Sequence, residues 1–392
     1  MTDLRTKPPN MAYIPYPEGI GVLRHPYKIF MDSHIKPCDE TEIIISNSGI
    51  KPEIVFNSKE VFDYVNNSGD DPVLMGKKTL YITENHGAVI KKCPGTSYYT
   101  CCDYTILHTG TFCTMDCSYC ILQAYFHPPV LQYFVGQKKI SRELDGIFEQ
   151  KKIYRIGTGE YTDSLIWAKL NDQPSFLVKK FADQNNSILE LKTKTVNIES
   201  LKNLDHNNKT VIAWSLNTPR IISSEERFTA SLTARLEAAK KCESWGYRLA
   251  FHFDPLVIYD GCEKEYKEVI KSIFTYVSPE SILWISIGSF RFMPQLKQII
   301  EKRFPESKLP YGEFITGIDN KMRYFKPLRI ALYQKIISYI REAAPDLLLY
   351  FCMEDQDVWE QSLGFFPSKE GELGSILDKS AVEHCMLDAS LL

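Results

Sequence analysis

Between residues 112 and 120 the chain reads Phe112-Cys113-Thr114-Met115-Asp116-Cys117-Ser118-Tyr119-Cys120, three cysteines in the spacing C-x3-C-x2-C. The rest of the chain is organised around this stretch. Thiolates are the ligands of iron–sulfur clusters, and a four-iron cluster held by only three of them keeps one iron open to bind a small molecule and pass it an electron. The competing reading is a zinc site or three packed thiols. Zinc would need a fourth Cys or His at matched spacing, and His108 and His127 are only loosely placed for that. The motif follows the apolar run Thr105-Ile106-Leu107-His108-Thr109-Gly110, so the loop is expected at the end of a strand.

Composition bounds what such a loop can be attached to. A chain of 392 residues has room for one large α/β domain with extensions, or for two domains. A net charge of −3 with 24% charged residues excludes the bulk electrostatics of a strongly basic nucleic-acid binder, so any such site has to be local. Eleven cysteines, and a start (Met1-Thr2-Asp3-Leu4-Arg5) without the charged-then-apolar layout of a secretion signal, imply a reducing cytoplasm where thiols serve metals or chemistry. No apolar run approaches the ~18 residues of a membrane span, so no membrane partner is expected.

Residues 1–100 read as an N-terminal extension. Pro8-Pro9 and Tyr13-Ile14-Pro15-Tyr16-Pro17 are expected to be extended or turn segments, Glu42-Ile43-Ile44-Ile45-Ser46 a short buried strand, and Glu60–Val65 a helical turn or two. The loop from Lys92 to Cys102 carries Cys93, Cys101 and Cys102, either as packed small thiols or with one facing the site or ligating a second cluster. Residues 101–305 form the core: strands are expected at 105–110, 152–157, 188–193, 210–215, 248–253 and 282–287, alternating with helices near 140–150, 175–185, 225–244, 262–276 and 294–303. The 225–244 helix carries Phe228, Leu232, Leu236 and Ala239 at helical spacing, with Ser223-Ser224-Glu225-Glu226 as its cap region. That alternation specifies an α/β fold, a partial (βα)6 TIM-type barrel, whose chemistry belongs at the C-terminal strand ends. Residues 306–392 form a C-terminal extension with one more strand at 347–352.

The cysteine spacing, with an aromatic before the last ligand, resembles the radical S-adenosylmethionine (SAM) superfamily, which implies a [4Fe-4S] cluster chelating SAM and cleaving it to a 5′-deoxyadenosyl radical. Gly157-Thr158-Gly159-Glu160 resembles that superfamily's Gly-Gly-Glu motif: Gly157 and Gly159 let the backbone approach, and Glu160 accepts from the SAM amino group. Lys194 is expected to pair with the SAM carboxylate, and Ser215 and Asn217 to hydrogen-bond its ribose or carboxylate. His252 and Asp254 alternate at the fifth strand end, placed to hold substrate or bond one another. Arg291 is a candidate for an anionic substrate group. The basic-aromatic run holding Lys321, Arg323, Tyr324 and Lys326 combines the charge and stacking that nucleic acid requires.

Over roughly residues 90–350 the similarity narrows, and the chain resembles the spore photoproduct lyase family through the cluster motif with Leu122-Gln123, Arg155-Ile156, Thr162-Asp163, Lys194-Thr195, Ser215-Leu216-Asn217 and Phe290-Arg291-Phe292. The resemblance implies a partial barrel that abstracts hydrogen from a methylene-bridged thymine dimer in DNA and lets it revert to two thymines. It carries Cys113, Cys117 and Cys120 over as cluster ligands, and Lys194 and Ser215 as SAM contacts; flavodoxin or ferredoxin is the class of electron donor expected. Two positions depart from the family pattern. Where the lyases place a hydrogen-donating cysteine, this chain has Glu160, whose O–H bond is too strong to replace a thiol. Where they place a tyrosine after the third ligand, it has Ile121, although Tyr119 is kept. Either another thiol among Cys93, Cys101, Cys102 and Cys262 takes over, or the substrate differs and is an RNA, a peptide or a small molecule. Tyr119, Glu160, His252 and Asp254 are the catalytic candidates.

Overall fold

The computed structural model describes residues 26–68, 71–95, 98–368 and 371–392. Pro8-Pro9 and the Tyr13–Pro17 segment lie outside the described residues. In chain order the strands are β1 (Lys28–Asp32), β2 (Glu53–Val55), β3 (Thr79–Glu84), β4 (Ile90–Lys92), β5 (Thr105–Leu107), β6 (Gly110–Thr111), β7 (Asp116–Cys117), β8 (Leu131–Val135) and β9 (Tyr154–Gly157). They continue as β10 (Ser187–Thr193), β11 (Thr210–Ser215), β12 (Glu226–Arg227), β13 (Arg248–Leu256), β14 (Ile282–Ser289), β15 (Arg291–Phe292), β16 (Phe314–Thr316), β17 (Met322–Tyr324) and β18 (Leu349–Phe351).

Central to the molecule is an eight-stranded sheet in the order β18-β14-β13-β11-β10-β9-β5-β4, curled into a half-barrel. Every pairing is parallel except the antiparallel β4–β5 edge. The six core strands read from the sequence are β5, β9, β10, β11, β13 and β14, and the additional strand in the C-terminal extension is β18. Strands such as β11 and β14 are buried along their whole length, the mark of a parallel sheet covered on both faces. Outside, the helix Cys262–Tyr276 buries Tyr266, Val269, Ile270 and Ile273 against the sheet, and the helix Lys326–Ala343 packs beside it.

Two sequence expectations are corrected. The apolar run Ile43–Ile45 is part of the helix Asp39–Ser48, because a short apolar run reads alike for strand and helix and the ends decide. Acidic residues fill its first turn, Thr41 and Cys38 form a capping box, and Gly49 closes it at φ 67°. The helix expected at 225–244 is divided: Pro219–Glu225 is one helix, β12 intervenes, Phe228 takes a positive φ of 63°, and Ser231 caps a new helix Leu232–Ser244. The break exists because Glu225 and Glu226 are buried partners of the cysteine loop, not an exposed cap.

A second sheet, β2-β1-β3-β8-β6, brings the N-terminal segment against that loop. Its last strand, β6, is the loop's own Gly110–Thr111, pairing with β8. On the other side β7, which contains Cys117, pairs with β12. A small sheet β15-β17-β16 stands beside the mouth of the half-barrel.

Candidate active site

The cysteine loop is clamped by side chains from three parts of the chain. Gln123, only 2% exposed, points its Nε2 at the carbonyls of Cys117 (3.1 Å), Ser118 (3.0 Å) and Cys120 (3.2 Å). Arg303 donates to Gln123 Oε1 and to both oxygens of Asp116 (3.0 and 3.2 Å), while Asp71 accepts from its Nε at 2.6 Å. Beneath the loop lies the buried Lys77, donating to the carbonyls of Cys113 (3.1 Å) and Met115 and standing 4.2 Å from the Phe112 ring centroid. Such a clamp fixes the loop carbonyls outward, so that the thiols face the other way.

They face a cavity of about 360 Å³, whose lining includes Cys113, Cys117 and Cys120 together with Glu160, Lys194 and Ser215. That volume falls in the usual range of small-molecule sites. All three thiols are free, and burial pushes the Cys113 thiol up to about 12 and that of Cys117 well above its ordinary value. A soft, multiply charged metal cluster offsets the desolvation that keeps such thiols protonated. Thr162 Oγ1, buried on the same wall, has no partner among the described residues. Among the described residues no three His, Cys, Asp or Glu groups converge as they would on one ion. Three thiols on one loop, all opening on the cavity, are the soft donor set that an iron–sulfur cluster takes.

Each strand contributes from its C-terminal end, as a parallel barrel requires. Glu160 follows β9 and pairs with Lys192 at 2.8 Å; the Lys192 ammonium holds the Glu160 carboxyl below the usual range. Lys194, just beyond β10, has its Nζ 5.8 Å from the Tyr119 ring centroid and no carboxylate within salt-bridge distance among the described residues. Ser215 closes β11, with its carbonyl held by Arg235 at 2.8 Å. Asp254 of β13 pairs with Arg291 at 3.3 Å, and both line the cavity.

Several sequence candidates stand elsewhere. Gly157 is inside β9, where a Cβ would lie 1.7 Å from Tyr104 Oη: it makes room for Tyr104 and does not line the cavity. Asn217 is buried, donating to Pro255 O (2.8 Å) and accepting from the Tyr266 hydroxyl (2.8 Å), so it braces the strand ends. His252 does not bond Asp254; its Nε2 lies 3.2 Å from Glu190 Oε1, deeper in the half-barrel. The Tyr119 hydroxyl is committed to Glu226, itself paired with Arg235 at 2.5 Å. Of the basic-aromatic run only Lys321 lines the cavity. Arg323 is buried with its guanidinium on Asp319 (2.8 Å), Tyr324 is buried, and Lys326 pairs with Asp355 and Asp357 (3.1 and 2.8 Å). The run forms β17 and the start of a helix, and those elements turn alternate side chains inward.

Some of the residues that sequence reasoning passed over had a signal. Glu190 and Lys192 of β10 stand four and two positions before Lys194, hence on one face with it, and that face is the barrel interior. Asp163, accepting from Thr193 Oγ1 (2.9 Å) and Lys194 N (2.8 Å), lines the cavity, and burial raises its pKa. Lys77 and Arg303 carried no local signal. The thiols of Cys93 and Cys352 are raised, to about 12 and about 11, mainly by burial; Glu160 and Lys192 are among the charged neighbours of both. Cys262, by contrast, starts a covering helix.

Comparison with known proteins places this arrangement. The family model for spore photoproduct lyase matches residues 89–326. The spore photoproduct lyase of Clostridium acetobutylicum is 28% identical over 254 residues, 64% of this chain and 71% of that one. That of Bacillus subtilis (strain 168) is 26% identical over 252 residues, 60% of this chain and 72% of the relative. A doubly substituted spore photoproduct lyase, solved with AdoMet and dinucleoside spore photoproduct bound, superposes with a TM-score of 0.74 at 20% identity, covering 83% of this chain and 98% of the other. The half-barrel is therefore the fold of those lyases. With more than half of its length matched, the chain belongs to the spore photoproduct lyase family, radical SAM enzymes whose cofactors are a [4Fe-4S] cluster and S-adenosylmethionine.

Proposed function

We propose that the protein repairs a methylene-bridged thymine photoproduct in DNA, with Cys113, Cys117 and Cys120 as the cluster ligands. The observation that carries this reading is a single cavity holding three free thiols and, at a strand end, a lysine ammonium without a carboxylate partner among the described residues. When bound, the cluster and SAM supply a 5′-deoxyadenosyl radical able to take a hydrogen atom from carbon.

The chain's own residues do the rest. Lys194 pairs with the SAM carboxylate, and Glu160, kept ionised by Lys192, accepts from its ammonium. Ser215 offers a hydroxyl on the same wall, and Arg291, oriented by Asp254, and Lys321 receive the anionic side of the substrate. Gln123, Lys77 and Arg303 position the cysteine loop. Tyr119 couples that loop to Glu226 and so to Arg235. For the return of hydrogen to the product radical we read Cys93 or Cys352 as the thiol, because both feel the charges of Glu160 and Lys192, which line the cavity. Flavodoxin or ferredoxin is the class of electron donor that suits such a cluster, and eleven free cysteines suit the cytoplasm. The described residues contain no helix long and apolar enough to cross a membrane.

A second reading, a radical SAM enzyme acting on RNA, a peptide or a small molecule, is favoured by the Glu160–Lys192 ion pair standing where the lyases keep a cysteine. One experiment separates them. The anaerobically reconstituted protein is given SAM, a reductant and photoproduct-bearing DNA deuterated at the lesion methylene. Label passing into 5′-deoxyadenosine supports DNA repair; 5′-deoxyadenosine without label, and lesion unchanged, refutes it.

A further inference from the structure

Beyond Glu160 the wall of the cavity continues as aromatic surface. Tyr161 stacks on Tyr125 with ring centroids 6.3 Å apart and planes at 25°, and Tyr125 is 59% exposed. Tyr161 also meets the His108 imidazole, at 4.7 Å. His108 belongs to a second cavity of about 450 Å³, which it shares with Lys138, Lys139 and Arg142 from the helix Gln137–Phe148. The two cavities are thus neighbours, joined by a stack of rings.

The second cavity is cationic in a chain that is acidic overall. Lys139 Nζ donates to the carbonyls of Asn85 (2.6 Å) and Gly87 (2.7 Å), contacts that orient its charge without neutralising it. Lys138 and Arg142 are exposed, and neither has a carboxylate within salt-bridge distance among the described residues. Lys91, on β4, stands behind the ring and does not line the cavity, its Nζ 3.1 Å from His108 Nδ1. An ammonium donating there leaves the imidazole hydrogen on Nε2, which has no partner among the described residues. Burial and the Lys91 charge hold His108 down at about 4, so the ring is neutral at physiological pH. Opposing these cations, Glu84 lies on the wall, whereas Glu143 is occupied with the Val89 and Ile90 amides (2.9 and 3.2 Å).

An exposed ring backed by a half-buried one, beside unneutralised cations, is what a nucleic-acid strand uses, a face for a base and charge for the phosphate next to it. We propose that Lys138, Lys139 and Arg142 bind a backbone phosphate of the DNA strand flanking the lesion, while the Tyr125–Tyr161 stack supports the neighbouring base. This rests on DNA being the substrate and says which way the strand leaves the active site: past β5 toward the N-terminal sheet.

The test uses the reconstituted full chain and a fluorescein-labelled duplex oligonucleotide carrying one photoproduct, with affinity measured by anisotropy across a salt series. Lys138→Gln with Arg142→Gln removes two charges from an exposed helix face. Lys264→Gln with Lys271→Gln removes two from the outer face of the helix Cys262–Tyr276, where neither lysine lines either cavity. The first pair is expected to weaken binding roughly ten-fold and to lower the slope of log affinity against log salt by about 1, the value of one phosphate contact, while the control pair leaves the slope unchanged. Turnover of the dinucleoside photoproduct, which has no flanking phosphate, falls less than turnover of the oligonucleotide. Equal slopes for the two pairs overturn the phosphate site while leaving DNA as substrate. A parent protein whose affinity for the duplex is absent or indifferent to salt overturns both.

Discussion

Gln123→Leu isolates the clamp on the cysteine loop. Leucine fills nearly the same volume but has no N–H, so the carbonyls of Cys117, Ser118 and Cys120, now at 3.0–3.2 Å from the amide nitrogen, lose that donor, while Cys117 O keeps the Cys120 N–H (3.2 Å) and Cys120 O the Gln123 N–H (3.3 Å). A primary amide has two hydrogens for these three acceptors, so two full bonds are removed and the third was shared. A buried carbonyl left bare costs about 1–3 kcal/mol, and a bond lost from a carbonyl that keeps another donor about 1 kcal/mol. Rehydration from the cavity side recovers part of this, and Arg303, though it loses the amide oxygen, keeps Asp116 and Asp71. The expected loss is therefore about 2–4 kcal/mol in unfolding free energy of the cluster-free protein. Because the loop carbonyls also set where the thiols point, iron content after anaerobic reconstitution should fall as well. The assays are urea denaturation followed by tryptophan fluorescence, and iron and sulfide analysis with visible absorbance. A variant with the parent's denaturation midpoint and full iron content would show that the loop is held by its strand pairings alone, and the clamp argument would be wrong.

Lys194→Met should leave cluster content intact and weaken SAM binding about ten- to a hundred-fold, the equivalent of one charged hydrogen bond of ~1.5–3 kcal/mol, read by anaerobic calorimetric titration; unchanged affinity would remove Lys194 from the site. Lys192→Met tests the ion pair through pH. In the parent, Glu160 has its pKa lowered by Lys192, so the pair's contribution is complete above the unfolded carboxyl value of 4.5 and is lost as pH falls through the depressed folded value. Without Lys192, burial raises Glu160 instead, so the variant is weaker by about 1–3 kcal/mol at neutral pH and the deficit shrinks on acidification; a deficit independent of pH would contradict this. Replacing both Cys93 and Cys352 by alanine should preserve 5′-deoxyadenosine formation while the substrate radical goes on to abnormal products, resolved by chromatography and mass spectrometry; normal thymine return from the double variant would exclude both thiols as donors.

Local sequence was enough for whatever depends on local periodicity. The core strands, the cysteine loop at the end of β5, and Glu160, Lys194, Ser215 and Arg291 beyond their strands were legible because a parallel strand is an apolar run that stops where the chemistry starts. The even spacing of Glu190, Lys192 and Lys194 held more than was drawn from it: one face, three charges, three different fates. Where the reading failed, a residue's neighbours came from far along the chain. Tyr324 and Arg323 looked like a binding run until the small sheet turned them inward, and Asn217 looked like a ligand contact until Tyr266 and Pro255 closed around it.

By itself the sequence determined the order of strands, the donor atoms and their spacing, since backbone period and thiol chemistry act over a few residues. Only the tertiary structure decided which charges are left over. Lys192 and Lys194 are two positions apart at the end of one strand, yet one meets a carboxylate from β9's loop and the other does not. Lys77 and Arg303 lie 36 residues before Cys113 and 187 residues after Asp116, and both end under the same loop. Electrostatic partnership depends on distance in space, which a chain of this length settles only once it has closed on itself.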